Sequence, residues 1–223
     1  MAGASKYAEY NQRVTHFNSH TMPLIDKSIN KVKEYRKKYK SEMAGAAKAK
    51  SEAASSMARA KARMDTCRAQ IGQASQDEDV SGLQNELYRA EMLYSQEEER
   101  LESAKRELPA AEEGLEKTNA RAKDLTERCN TVIQVFQTMI QVIQKELNDR
   151  QTAKLRLDQA ARTKFGRSAF LESLRVGPEI SQDGELIYTC KNSIRELKGK
   201  LSDMNGEGEE RVRDRGEERE NSR

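Results

Sequence analysis

The sequence predicts an all-α fold built on one long antiparallel helical hairpin, a coiled-coil pair of arms within a dimeric helical bundle. Three observations predict it. Of 223 residues, 35% are charged and only 35% hydrophobic, with no Trp. That is little apolar surface for a compact globule, but enough for a seam between long helices. Apolar residues recur every seven positions over most of the chain, the period of helices packed along their length. Runs of β-branched and aromatic residues that mark strands are absent.

The elements follow in chain order. Residues 1–21 place Tyr7, Tyr10, Val14 and Phe17 at helical spacing and read as an N-terminal helical segment. Residues 22–71 read as a first long helix with two stripes at period seven. One is Ile25, Val32, Tyr39, Ala46, Ala53, Ala60 and Cys67; the other is Met22, Ile29, Arg36, Met43, Lys50, Met57, Met64 and Ile71. Residues 72–82, GQASQDEDVSG, are polar, contain two Gly and lack periodicity, so they predict the turn. Residues 83–164 read as the second arm. Its stripe is Leu87, Tyr94, Leu101, Leu108, Leu115, Ala122, Cys129, Phe136 and Ile143, with a companion through Ala90, Glu97, Ala104, Ala111, Thr118, Leu125, Val132 and Met139. Pro109 removes a backbone donor and bends a helix. The stripe runs through it unbroken, which predicts a kink rather than a loop at 108–114.

Beyond the arms, 166–184 reads as irregular. A short amphipathic helix is expected at 185–203 (Leu186, Cys190, Ile194, Leu197, Leu201), and a disordered charged tail over 205–223. Both arms thin to Ala near the turn, which permits close approach. At the other end Val132, Ile133, Val135, Phe136, Met139, Ile140, Val142, Ile143 and Leu147 cover more than one helix face, and Leu125, Val132, Phe136, Met139, Ile140, Ile143 and Leu147 are the candidate core. One partner helix covers about one stripe. The excess predicts a multi-helix core, most simply a homodimer, with these residues as its core or interface.

Charge is distributed unevenly. Residues 27–68 hold thirteen Lys/Arg and four Asp/Glu, whereas residues 69–116 hold four and thirteen. The hairpin folds these segments together, so cross-arm pairing that fixes register is one reading. The other leaves the first arm a free basic face for an anionic surface, toward which each Lys or Arg contributes about 1 kcal/mol. Nucleic acid is not expected as a partner, because the segment has few stacking aromatics and no recognisable binding module.

Enzyme chemistry is not expected. No phosphate-binding Gly loop is present. His16 and His20 have metal-ligand spacing without a third ligand nearby, so no metal and no cofactor is predicted. Cys67, Cys129 and Cys190 are widely spaced, odd in number and on apolar stripes, which reads as core packing in a reducing compartment. The N-terminus lacks a signal-peptide core, and no window could span a bilayer. The expected location is cytoplasmic, with a peripheral membrane role open.

The layout resembles the BAR-domain superfamily, the crescent-shaped membrane-curvature dimers, nearest the classical and ciliary-base types. The resemblance covers about residues 20–165. It rests on the basic KSINKVKEYRKKYK and Ala-rich AGAAKAKSEAAS, on LQNELYRAEMLYSQEEERLESAKREL after the tip, and on REL followed by Pro109 and CNTVIQVFQTMIQVIQKEL. The resemblance implies a non-enzymatic homodimer that senses or imposes curvature on anionic phospholipid membranes through a basic face, in processes such as endocytosis and trafficking. Carried over by position, Lys31, Lys33, Lys37, Lys38, Lys40, Lys48, Lys50, Arg59, Lys61 and Arg63 are the candidate membrane-binding residues. Two departures stand out. The tip is acidic (Asp77, Glu78, Asp79), and only about twenty residues precede the basic helix, where the family has a full first helix. Either that helix is truncated, or residues 5–71 serve as one combined helix, or the helix at 185–203 fills the gap. The alternatives in function are a structural or adaptor coiled coil binding partner helices in cytoskeletal or ciliary assemblies, and an ESCRT-III-like filament subunit. The balanced Arg/Glu tail counts against the latter.

Overall fold

A computed structural model of the chain describes residues 2–75, 79–162 and 166–220, with side chains over 7–75, 79–162 and 166–206. Among the described residues every regular element is helical: α1 (Ala2–His16), a π-helical turn (Phe17–Thr21), α2 (Met22–Gln73), α3 (Ser81–Ala161) and α4 (Gly166–Glu220). Three of these are long and pack as a bundle. The chain divides into two compact units: one holds the residues up to Val32 and from Arg121 onward, the other is Lys33–Ala120.

In the first unit, α1 and the start of α2 join through the π turn into one run of helix. The sequence spacing explains that turn. The apolar positions Tyr7, Tyr10, Val14 and Phe17 advance by three or four, then jump five to Met22 before resuming at Ile25, Ile29 and Val32. A π turn inserts one extra residue, which keeps both series on one face. Val14, Phe17, Met22, Ile25, Ile29 and Val32 are all buried in one core. Residues 2–73 thus form the single combined helix that was one of the three expectations.

The core also takes Ala122, Cys129, Ile133, Phe136, Met139, Ile143 and Leu147 from α3, and Leu186, Ile187, Cys190, Ile194, Leu197, Leu201 and Met204 from α4. Phe17 meets Phe136 edge to face at 5.0 Å. The polar contacts set the directions. Ser193 donates to Asn18 at 2.8 Å and Lys200 pairs with Asp26 at 2.6 Å, so α4 runs parallel to the α1–α2 helix. Arg150 pairs with Asp183 and Ser173 donates to Asp158, so α4 is antiparallel to α3.

This arrangement corrects two expectations. Residues 166–184 are helical, not irregular, and the expected short helix at 185–203 is the middle of α4. The tail is helical to Glu220, with 221–223 outside the described residues. Gly177, Pro178 and Gly184 are helix-weakening residues, but Ser173, Glu179 and Asp183 tie this stretch to α3, and the Glu and Arg that outnumber the glycines of the tail are good helix formers. Most of the excess apolar surface on α3 also finds a cover within the chain, with Val135 left exposed. Phe136, Met139, Ile143 and Leu147 are buried, and Leu125, Val132 and Ile140 half-buried, against α1, α2 and α4. A second subunit is not required to bury them.

The second unit is a two-helix hairpin. The α2 residues buried here are Ala46, Ala53, Ala60 and Cys67, seven apart; those of α3 are Ala90, Glu97, Ala104, Ala111 and Thr118, again seven apart. The companion stripe of α3 is therefore the centre of the contact, and Leu87, Tyr94, Leu101, Leu108 and Leu115 flank it half-buried. A Cβ at Gly114 would strike the Tyr39 ring, so the backbone passes as close as glycine allows. Glu97 is tolerated because Arg100 donates to both its oxygens, at 3.0 and 3.1 Å. Helix α3 continues through the exposed Pro109, so no loop separates 108 from 114. Asp79 caps α3 by accepting from the Ser81 N–H at 2.9 Å, which lowers its pKa. The other tip acids, Asp77 and Glu78, lie outside the described residues.

Candidate anionic-surface face

Nine of the ten candidate membrane-binding residues lie in the hairpin unit; Lys31 lies in the other. Lys31, Lys37, Lys38, Lys48, Lys50, Arg59, Lys61 and Arg63 are exposed, Lys33 and Lys40 half-buried. The buried line Ala46–Ala53–Ala60–Cys67 sorts those in the hairpin into two flanks of α2. Lys33, Lys40 and Lys61 sit one residue after a position of that period, Lys50 three before and Lys37 two before, all on one side. Lys38 and Arg59 sit one before, Lys48 two after and Arg63 three after, on the other side.

The flanks differ chemically. Glu34, Glu42 and Glu52 all fall on the second flank. There Lys38 pairs with Glu42 at 3.7 Å and Lys48 with Glu52 at 3.8 Å, both exposed pairs within one helix, of the kind that contribute little. The first flank carries no acid from Lys33 to Lys61; its next acid is Asp65, two before Cys67 and four after Lys61. Lys37, Lys40, Lys50 and Lys61 have no carboxylate within 4.0 Å among the described residues.

Cross-arm pairing is sparse. Arg68 reaches Glu91 of α3 at 2.9 Å, and Arg36 donates to Asn119 at 2.9 Å. Lys61 and Glu98 stand in the same register as Arg68 and Glu91, yet no ion pair joins them. The Arg68–Glu91 pair is a cross-arm contact of the kind expected between a basic and an acidic arm.

Charge also varies along the hairpin. The half away from the turn, residues 33–50 and 105–120, carries ten Lys/Arg and six Asp/Glu. The half near the turn, 51–73 and 81–104, carries six and eight. Any attraction to an anionic surface is therefore concentrated over 33–50.

The remaining reactive side chains are placed as follows. His16 and His20 stack with ring centroids 4.7 Å apart, and His20 Nδ1 shares a hydrogen bond with Ser19. The three cysteines are buried and free; burial raises the Cys129 thiol and pushes Cys190 up to about 11. The sequence reading missed one cluster: Arg150 of α3 faces Asp183, Glu179 at 3.4 Å and Glu146 at 4.0 Å. Burial holds the Asp183 carboxyl above its ordinary range despite Arg150, with Glu146 and Glu179 pushing the same way. Its only sequence signal was a lone Asp at a helical register position. Among the described residues no helix is long and apolar enough to cross a membrane. Compared with family models, curated proteins and solved structures, the chain matches none.

Proposed function

We propose that this chain is a non-enzymatic peripheral membrane protein that recognises anionic lipid surfaces through the lysine-bearing first flank of α2, over residues 33–61. The observation that carries the reading is the exposed set Lys37, Lys50 and Lys61 with half-buried Lys40, on one side of a rigid helix and without carboxylate partners. An array of this kind binds headgroups by summed charge and needs no pocket. The BAR-like layout extends the proposal to a cytoplasmic homodimer that senses or shapes curvature.

Co-sedimentation tests the reading. The chain should pellet with phosphatidylcholine vesicles containing about one-third phosphatidylserine, not with pure phosphatidylcholine, and raised salt should release it. Equal pelleting on both, or none on either, refutes it. Small-angle scattering tests the dimer: a curved particle of twice the chain mass supports it, a monomer does not.

One observation favours a second reading, the adaptor coiled coil. Tyr88 and Met92, four apart on α3, are exposed in the hairpin unit and could seat a partner helix. That reading predicts a rod that leaves vesicles of either composition unbound.

A further inference from the structure

The first turns of α4 are patterned inside out. Their buried and half-buried positions are Gly166, Ala169, Ser173, Val176 and Gly177, small apart from Val176; Ser173 donates to Asp158 of α3, and Lys154 lies over Gly177. Their outer stripe is Arg167, Phe170, Leu171, Leu174 and Arg175, at the i, i+3, i+4, i+7, i+8 spacing of one helix face. Phe170, Leu171 and Leu174 are 54%, 56% and 57% exposed. On α3, Leu155 is 64% exposed, next to the Lys154 that faces Gly177. Soluble helices bury bulky apolar residues and expose small polar ones; the reverse marks a surface made to be covered. Further along α4 the pattern is ordinary, with Leu186, Cys190, Ile194, Leu197 and Leu201 buried.

We infer that this stripe is a second membrane contact, one that inserts apolar side chains below the headgroups of an anionic leaflet. The charge around it names the occupant. Arg167 and Arg175 bracket the three apolar residues, and no acid lies on the stripe. Residues 154–175 hold six Lys/Arg against two Asp/Glu. An apolar face rimmed by Arg and Lys is the composition of helices that lie in the interface plane. A second copy fits less well. Two such stripes packed antiparallel about Leu171 would set Arg167 against the other copy's Arg175. A stable interface also takes about 20 residues a side, where this stripe offers five. The site differs from the α2 flank, where the interleaved Met43 and Met57 are half-buried rather than exposed.

The chain has no Trp, so Phe170→Trp is a clean reporter at an exposed position. Its emission should be that of a solvated indole in buffer. With vesicles containing about one-third phosphatidylserine it should shift to the blue and be quenched by lipids brominated on the acyl chain. The triple variant F170S/L171S/L174S should keep the wild-type melting temperature and lose about tenfold or more in vesicle affinity. A reporter that stays solvated on vesicle-bound protein overturns the proposal and leaves the α2 flank standing. Insertion that survives charge reversal of the flank supports it and removes the flank instead. A blue shift without lipid that grows with protein concentration assigns the stripe to a second copy and overturns it too.

Discussion

Ala53 has 0% of its surface exposed, and it sits mid-way along the hairpin's Ala line. Leucine at this position adds three carbons where α2 and α3 already meet through alanine. The arms must separate, or the side chain must take a strained rotamer, at a cost of about 1–3 kcal/mol. At about 1.4 kcal/mol per factor of ten, opening of the hairpin should become roughly 5- to 150-fold more frequent. Native-state hydrogen exchange reads this directly, because amide protection follows the local opening free energy. Ala53→Leu should lose protection over 33–120. The neighbouring Ala54→Leu, on the exposed side of the same turn, should stay within about 0.5 kcal/mol of wild type. Equal effects at the two positions, or greater protection in Ala53→Leu, would refute the small-residue seam.

Three further outcomes follow from the packing. Leu197, 1% exposed in the core of the other unit, should cost about 2–5 kcal/mol as Leu197→Ala in chemical denaturation; an exposed leucine would cost far less. Gly114→Leu should displace the Tyr39 ring and lower protection over the hairpin by at least tenfold, whereas Gly45→Ala, with open space at its Cβ, should stabilise helix by about 1 kcal/mol. Asp183 has a raised folded pKa, so the native state holds its proton to higher pH than the unfolded chain does. Its contribution to stability is therefore lost as pH rises from about 4 through the folded value. Relative to Asp183→Asn, the wild-type melting temperature should fall across that window; a relative rise would mean that Arg150 outweighs burial.

The heptads made the helices and the hairpin legible because their period is set by packing over many turns. Ala46, Ala53, Ala60, Ala104 and Ala111 could be placed on the seam from spacing alone. The first turns of α4 were not legible, because Gly177, Pro178 and Gly184 carry local signals of a break. What makes that stretch helical is tertiary, from Ser173 to Asp158 and from Asp183 to Arg150. The five-residue step from Phe17 to Met22 was visible in the sequence, and the π turn is its physical meaning. The multi-helix core around the α3 apolar surface was legible, but not the share of it that α4 supplies: with 166–184 read as irregular, α4 was too short to cover it. At the candidate face, the sequence supplied the basic residues but not their division into two flanks, one of which pairs Lys38 with Glu42 and Lys48 with Glu52. That division needs the buried line of α2 as its reference.

The most direct test of the proposed function compares those two flanks. Lys37→Glu, Lys40→Glu, Lys50→Glu and Lys61→Glu together reverse the first flank; Lys38→Glu, Lys48→Glu, Arg59→Glu and Arg63→Glu reverse the same number of charges on the other. Titrated against vesicles containing about one-third phosphatidylserine, the first variant should lose at least about a hundredfold in affinity, and the second clearly less. Equal losses would reduce the contact to net charge alone, and no loss in the first variant would contradict the assignment of this flank to the membrane.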